Sequence, residues 1–134
     1  ALRQLVVERA VGRCEYCLIS NDVVLVPHEV DHIIALKHGG LTEPDNLALS
    51  CTLCNKHKGS DLASLDPDTG SVVALFHPRH DKWTEHFETD DGQIIPLTAA
   101  GRVTVKLLQL NAPERVEERR LLILSGAWAV SAID

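Results

Sequence analysis

A chain of 134 residues with 45% apolar and 24% charged residues fits one globular domain with a core of its own. Its formal net charge of −6 argues against strong stand-alone binding to a polyanion, because non-specific affinity for nucleic acid comes from Lys and Arg neutralising phosphates. No apolar stretch reaches membrane-spanning length, and Ala1-Leu2-Arg3-Gln4-Leu5 has no signal-peptide layout, so a cytoplasmic protein with no membrane partner is expected.

Leu2, Leu5, Val6 and Arg9 recur at helical spacing and predict a helix over 2–11 that Gly12 ends. Cys14-Glu15-Tyr16-Cys17 follows as a knuckle. Asp22 to Val26 is rich in Val and Leu and reads as a short strand, broken by Pro27. Glu29 to Ile34 is a second β-like run. A loop starts at His38-Gly39-Gly40 and continues through Leu41 to Asp45. Leu47-Ala48-Leu49 is a short apolar run, and a helix is expected from Asn55 to Leu65. Asp66 to Gly70 is a turn: Pro67 presets φ and Gly70 accepts a positive one. Val72 to Phe76 reads as a strand. Trp83 to Thr89 and Gln93 to Leu97 flank Asp90-Asp91-Gly92 as a hairpin. Thr98 is placed to cap a helix to about Leu110. Asn111 is placed to cap another, with Pro113 in its first turn, Glu114 at the capping-box position and an end near Ser125-Gly126.

The four cysteines are Cys14, Cys17, Cys51 and Cys54, in two C-x-x-C pairs with none left over. Two disulfides suit an oxidising compartment; in a reducing one, the same pairs read as a four-thiolate zinc site. One turn with a two-residue gap presents two thiolates together, and tetrahedral zinc takes four. A C-x-x-C redox protein is the competing reading, but the two pairs are matched and neither opens a thioredoxin-like unit. Four thiolates leave no open position for water, so this zinc is expected to be structural. Thirty-three residues separate the pairs, enough for a hairpin between them.

Between and after the pairs run Glu29-Val30-Asp31-His32-Ile33-Ile34, Gly39-Gly40, Asp45-Asn46-Leu47 and Cys51-Thr52-Leu53-Cys54-Asn55-Lys56-His57-Lys58-Gly59. In that order these resemble the HNH endonucleases, the ββα-metal nucleases: an Asp-His pair closing a strand, a Gly loop, a middle Asn before a short strand, and an Asn after the second C-x-x-C. The resemblance covers residues 12–61. Phe76-His77-Pro78-Arg79 with Trp83 and His86-Phe87 is similar to an extension seen in bacterial HNH proteins.

The resemblance implies an α+β fold: a ββα-metal core on a zinc knuckle over about 12–65, then a β-hairpin and two C-terminal helices over about 66–134, all in a single domain of residues 1–134. It implies a metal-dependent endonuclease on DNA that leaves 5′-phosphate and 3′-hydroxyl ends. By residue, it implies that His32 is the general base, that Asp31 and Asn55 hold a catalytic Mg²⁺ or Mn²⁺, and that Asn46 completes the catalytic set by fixing the loop that orients His32. The chemistry is apt: a neutral imidazole is a suitable base near pH 7, and Mg²⁺ takes hard oxygen ligands. Adjacent strand residues point to opposite faces, so a bulge or strand end is expected at Asp31-His32.

Lys56, His57 and Lys58 are candidate phosphate contacts, with a solvated helix face as the plain alternative. His28 and Glu29 precede the pair and stand as strand-surface residues that could support it. His77, His80 and His86 with Asp81 match no zinc signature. Arg79, Lys82 and Trp83 could form a nucleic-acid surface, though a Trp is more often core. Residues 1–61 carry six basic and eight acidic side chains and the rest seven and eleven, so neither half is basic. DNA binding is therefore expected to be weak alone and salt-sensitive, with a further protein or domain supplying affinity and a monomer as the simplest state. The competing function is a zinc-stabilised nucleic-acid-binding or adaptor module with little activity alone.

Overall fold

The computed structural model describes residues 1–128 and Val130. The end of the expected extension, residues 131–134, lies outside them. The order is α1 (Leu2–Arg9), β1 (Glu29–His32), β2 (Leu47–Ser50), α2 (Thr52–Lys58), β3 (Ala63–Leu65), β4 (Val72–Ala74), α3 (Trp83–His86), β5 (Phe87–Asp90), β6 (Gln93–Pro96), α4 (Ala99–Leu107) and α5 (Pro113–Leu124). The strands form three antiparallel pairs, β1–β2, β3–β4 and β5–β6. This is the expected mixed α+β architecture. No helix among the described residues is long and apolar enough to cross a membrane.

The first knuckle closes on itself, with Cys14 N–H donating to Ile19 O and Leu18 N–H to Cys14 O, each at 2.9 Å. Leu18 takes a left-handed φ of 67°, a conformation costing roughly 1–2 kcal/mol for a residue with a Cβ. Burial of its side chain offsets that cost. The knuckle is then covered by the second half of the chain. Tyr16, Leu18 and Ile19 share one apolar cluster with Phe76, Trp83, Phe87, Ile94, Leu108, Leu110 and Trp128. Trp83 Nε1 donates to Tyr16 O at 2.9 Å and Trp128 Nε1 to Cys17 O at 3.1 Å. Trp83 is therefore core. A smaller cluster of Val6, Leu47 and Leu49 seats α1 on the first hairpin.

Several expectations give way to local chemistry. The expected strand Asp22–Val26 is a 3-10 turn at Asn21–Val23 followed by irregular chain. Ser20 Oγ accepts the Asp22 N–H and Asn21 Oδ1 accepts the His28 N–H, so side chains close a loop, and Leu25 is fully exposed. The expected helix Asn55–Leu65 starts three residues earlier, with Cys51 as its N-cap, and stops at Gly59, whose φ of 52° and ψ of −127° leave helical space. Residues Ala63–Leu65 pair with Val72–Ala74 instead. The first helix stops at Arg9, and the strand expected to run to Phe76 stops at Ala74. Trp83–His86, expected as a hairpin arm, is one helical turn. The helix capped by the Thr98 side chain ends at Leu107, before the expected Leu110. Asn111 does not cap α5, whose N-cap is Ala112. Its amide bonds both backbone groups of Ile94 at 2.8 Å and so ties α5 to β6.

The β5–β6 turn follows the sequence signal. Asp91 and Gly92 have φ of 49° and 85°, the two positive values of a type I′ turn. Gly92 is also required by space, since a Cβ there would meet Val116 O at 2.7 Å.

The Asp66 turn is fastened to α4. Arg102 Nε and Nη2 donate to the two Asp66 carboxylate oxygens at 2.9 and 2.8 Å. That bidentate bond, with the Asp68 N–H and the Thr69 hydroxyl, holds the Asp66 carboxyl well below the usual carboxylate range. A carboxyl depressed in the folded state contributes stability above its unfolded value near ~4, which is lost as pH falls toward the folded value. Asp66→Asn should therefore lower the melting temperature at pH 7. The gap from the parent protein should narrow below about pH 4. Thermal melts from pH 7 to pH 2.5 check this.

Candidate active site and zinc centre

The first hairpin is regular, pairing Glu29 with Ser50, Val30 with Leu49, Asp31 with Ala48 and His32 with Leu47. There is no bulge at the Asp-His pair; His32 is instead the last residue of β1. Strand alternation puts Glu29 and Asp31 on one face and Val30 and His32 on the other. Val30 packs with Leu47 and Leu49 beneath α1, so His32 belongs to the α1 face. The Glu29-Asp31 face meets α2. Asn55 Nδ2 donates to Glu29 Oε2, and Lys58 Nζ lies 3.5 Å from Asp31 Oδ2.

Asp31 sits in an unusual setting. Burial raises its carboxyl above the usual value, and Lys58 and His32 offset this only in part. Its Oδ2 is buried and makes no hydrogen bond among the described residues. The cation that faces this shielded oxygen is the Lys58 ammonium, on the α2 side where Asn55 meets Glu29. The Tyr16 hydroxyl is likewise buried without a hydrogen bond among the described residues. Burial, then the Asp31 carboxylate, push its pKa up and keep it neutral.

Asn46 closes the Gly loop. Its Oδ1 accepts the Ile34 N–H, and its Nδ2 donates to Ile34 O and Leu41 O, all at 2.9 Å. Gly40 lies so close that a Cβ there would meet Ile34 O at 1.8 Å, a collision with backbone that no side chain avoids. The loop thus carries Thr42 to the ring of His32, with His32 Nε2 and Thr42 Oγ1 2.8 Å apart.

The four thiols are all buried and unbridged, and their sulfur atoms lie within 4.8 Å of one another. Cys17 and Cys51 are 3.6 Å apart, close to the roughly 3.8 Å edge of a tetrahedron with Zn–S bonds of about 2.3 Å. Number, softness and spacing fit a structural zinc. Arg115 completes the centre from α5: its Nη2 donates to Cys54 Sγ at 3.1 Å and lies 3.9 Å from Cys51 Sγ. Burial works against its charge, but the sulfurs of Cys54, Cys17 and Cys51 outweigh burial and raise the guanidinium above its usual value.

On α2, Lys56 is exposed and His57 half-buried. Lys58 departs from its expected place on a phosphate-binding surface: it is 2% exposed, and its ammonium donates to Ile33 O at 3.1 Å. It pins α2 to the end of β1. His77 Nδ1 accepts from the Arg79 N–H at 3.1 Å, His80 stacks on His77, and His86 Nδ1 lies 2.6 Å from the Thr98 hydroxyl. These histidines hold local structure, and the only metal-competent His, Cys or carboxylate group of three or more among the described residues is the cysteine centre. Three contacts escaped the sequence reading: Thr42 on His32, Glu29 on Asn55 and Arg115 on the thiols. Glu29 sits two residues from Asp31 and was accessible through strand period; the other two depend on long-range packing.

Removal of zinc by a chelator should red-shift tryptophan emission, because both Trp83 and Trp128 are bonded to knuckle carbonyls. Arg115→Ala should cost about 3 kcal/mol of stability and speed zinc release to the chelator. Denaturant melts and a chromogenic chelator assay read these outcomes.

No curated protein and no solved structure was found to match the chain. Residues 14–61 match the family model described as HNH endonuclease. That span begins at the first zinc-site cysteine, contains β1, the Gly loop, β2 and α2, and ends just beyond the Lys58 pin. Residues 14–61 are thus similar to the HNH endonucleases, in a segment built on a four-cysteine centre against which the C-terminal half packs.

Proposed function

We propose that the protein is an endonuclease that hydrolyses DNA phosphodiester bonds with one catalytic divalent cation. The observation that carries the reading is the meeting of β1 and α2: Asn55 reaches Glu29 on the same strand face as Asp31, one residue before His32 at the strand end. This juxtaposition lies within the segment that matches the HNH family.

Asp31 and Asn55 would hold the cation, and Glu29 fixes the Asn55 amide. A bound Mg²⁺ or Mn²⁺ supplies charge stabilisation at the phosphate and at the departing oxygen. In the tautomer that donates Nε2–H to the Thr42 hydroxyl 2.8 Å away, Nδ1 of His32 carries the lone pair that takes a proton from the attacking water. The water oxygen bonds to phosphorus and the bond from phosphorus to the 3′ oxygen breaks. The products are a 5′-phosphate and, once the leaving oxygen is protonated, a 3′-hydroxyl. Asn46 acts at one remove, by holding the loop that presents Thr42 to His32.

A plasmid-nicking assay with Mg²⁺ or Mn²⁺ tests the reading. His32→Ala should lower the rate at least about 100-fold. Asn46→Ala should lower it less, by weakening the loop. Equal rates for the parent and His32→Ala proteins would remove the catalytic assignment and favour a binding module.

A further inference from the structure

A cavity of about 340 Å³ lies between the loop after the first knuckle, the start of α2 and α5. Leu25, Val26 and Leu53 border it and are exposed, so the space communicates with solvent. Cys17 and Cys51 border it as well. These are the two cysteines with any residual exposure, 2% and 6%, whereas Cys14 and Cys54 have none. Their sulfur atoms are 3.6 Å apart and come from different C-x-x-C pairs. Cys17 closes the first knuckle, and Cys51 caps α2. Arg115 shields Cys54 instead, donating to its sulfur at 3.1 Å and staying 3.9 Å from that of Cys51.

Zinc holds its cysteine ligands as thiolates, the nucleophilic form. A thiolate sealed in the interior is inert, and one that a small oxidant can reach is not. The cavity is several times the ~30 Å³ of a water molecule, and an apolar border does not hinder an uncharged oxidant.

We propose that Cys17 and Cys51 are the oxidation site of the zinc centre, reached by hydrogen peroxide through this cavity, and that they close to a disulfide which expels the metal. The Cys51 thiolate attacks one peroxide oxygen, the O–O bond breaks, and the departing hydroxide takes a solvent proton to become water. Cys51 is then a sulfenic acid. The Cys17 thiolate attacks its sulfur, the S–S bond forms, the S–O bond breaks, and the second hydroxide is likewise protonated to water. Each sulfur loses one electron, and the peroxide is reduced to two waters. With two of its four thiolates gone, the centre no longer closes the tetrahedral shell of zinc. The disulfide joins the first knuckle to the start of α2, the same two elements that the metal joins. The metal is lost while that link remains. The inference rests on the zinc centre and is independent of the endonuclease reading.

The test treats the zinc-loaded full chain with hydrogen peroxide and follows zinc release with a chromogenic chelator, against chelator alone. Remaining thiols are alkylated, and the linked peptides are located by fragmentation mass spectrometry. Peroxide-driven zinc release and a Cys17–Cys51 disulfide should appear together, with Cys14 and Cys54 alkylated, and a thiol reductant with added zinc should reverse both. Leu53→Trp adds bulk at the exposed edge of the cavity and should slow the reaction at least about threefold, with zinc content and melting temperature unchanged. Leu121→Trp, exposed on α5 and outside the cavity border, should react at the parent's rate. A first disulfide within either C-x-x-C pair, or peroxide-driven zinc release with no disulfide, would overturn the pairing. Zinc retained under peroxide would overturn the oxidation site altogether. A Leu53→Trp rate equal to the parent's would overturn the cavity as its route.

Discussion

Four thiolates around a divalent zinc leave a net double negative charge in a place from which water is excluded. Such a charge needs a counterpart, and Arg115 provides it from a helix that begins about sixty residues after Cys54. Removing the guanidinium would leave the charge buried and uncompensated. The four-cysteine centre and the C-terminal helix are therefore coupled through Arg115. The same knuckle offers carbonyls to Trp83 and Trp128 and apolar side chains to the main cluster. The knuckle of the matched HNH segment is consequently packed against the second half of the chain.

This constraint reaches the proposed chemistry through α2. Cys51 and Cys54 belong to the centre, and Cys51 also caps the helix. Asn55 follows Cys54 directly, so anchoring the sulfur sets where the amide lies. One turn later, Lys58 bonds the carbonyl of Ile33 and approaches Asp31. The helix is thus held at its start by the cysteine centre, where a bound zinc would fasten it, and at its end by an ammonium buried against backbone. Between those two fastenings Asn55 meets Glu29. Across the hairpin, Asn46 and the crowded Gly40 hold the opposite wall and bring Thr42 to His32. Each contact in this set restricts a different degree of freedom.

The sequence made the cysteine pairs, the Asp31-His32 strand, the Gly loop and the position of Asn55 legible because each has fixed local spacing. The hairpin at Asp91-Gly92 and the Thr98 cap were legible for the same reason. Composition misled where a local pattern had no partner: Asp22 to Val26 is rich in β-formers, yet no strand among the described residues pairs with it and Leu25 faces solvent. Asn111 has the chemistry of a cap but bonds Ile94 across the fold. Lys58 resembles any surface lysine until the β1 carbonyls are placed beside it. Charge was the least legible property. A chain acidic in both halves gathers Arg9, Arg13, Arg79 and Lys82 around one cavity only after α1 and the post-β4 segment meet.

The central claim is that the four-cysteine centre fastens both halves of the chain and thereby positions the proposed active site. Amide hydrogen exchange, followed residue by residue with zinc bound and after chelation, tests it most directly. On zinc removal, amides at Ile33, Asn46 and Asn55 should lose protection together with those of Ile94, Leu108 and Leu110. Retained protection at Ile94, Leu108 and Leu110 while residues 14–61 open would contradict the claim, because the C-terminal half would then stand without the centre it encloses.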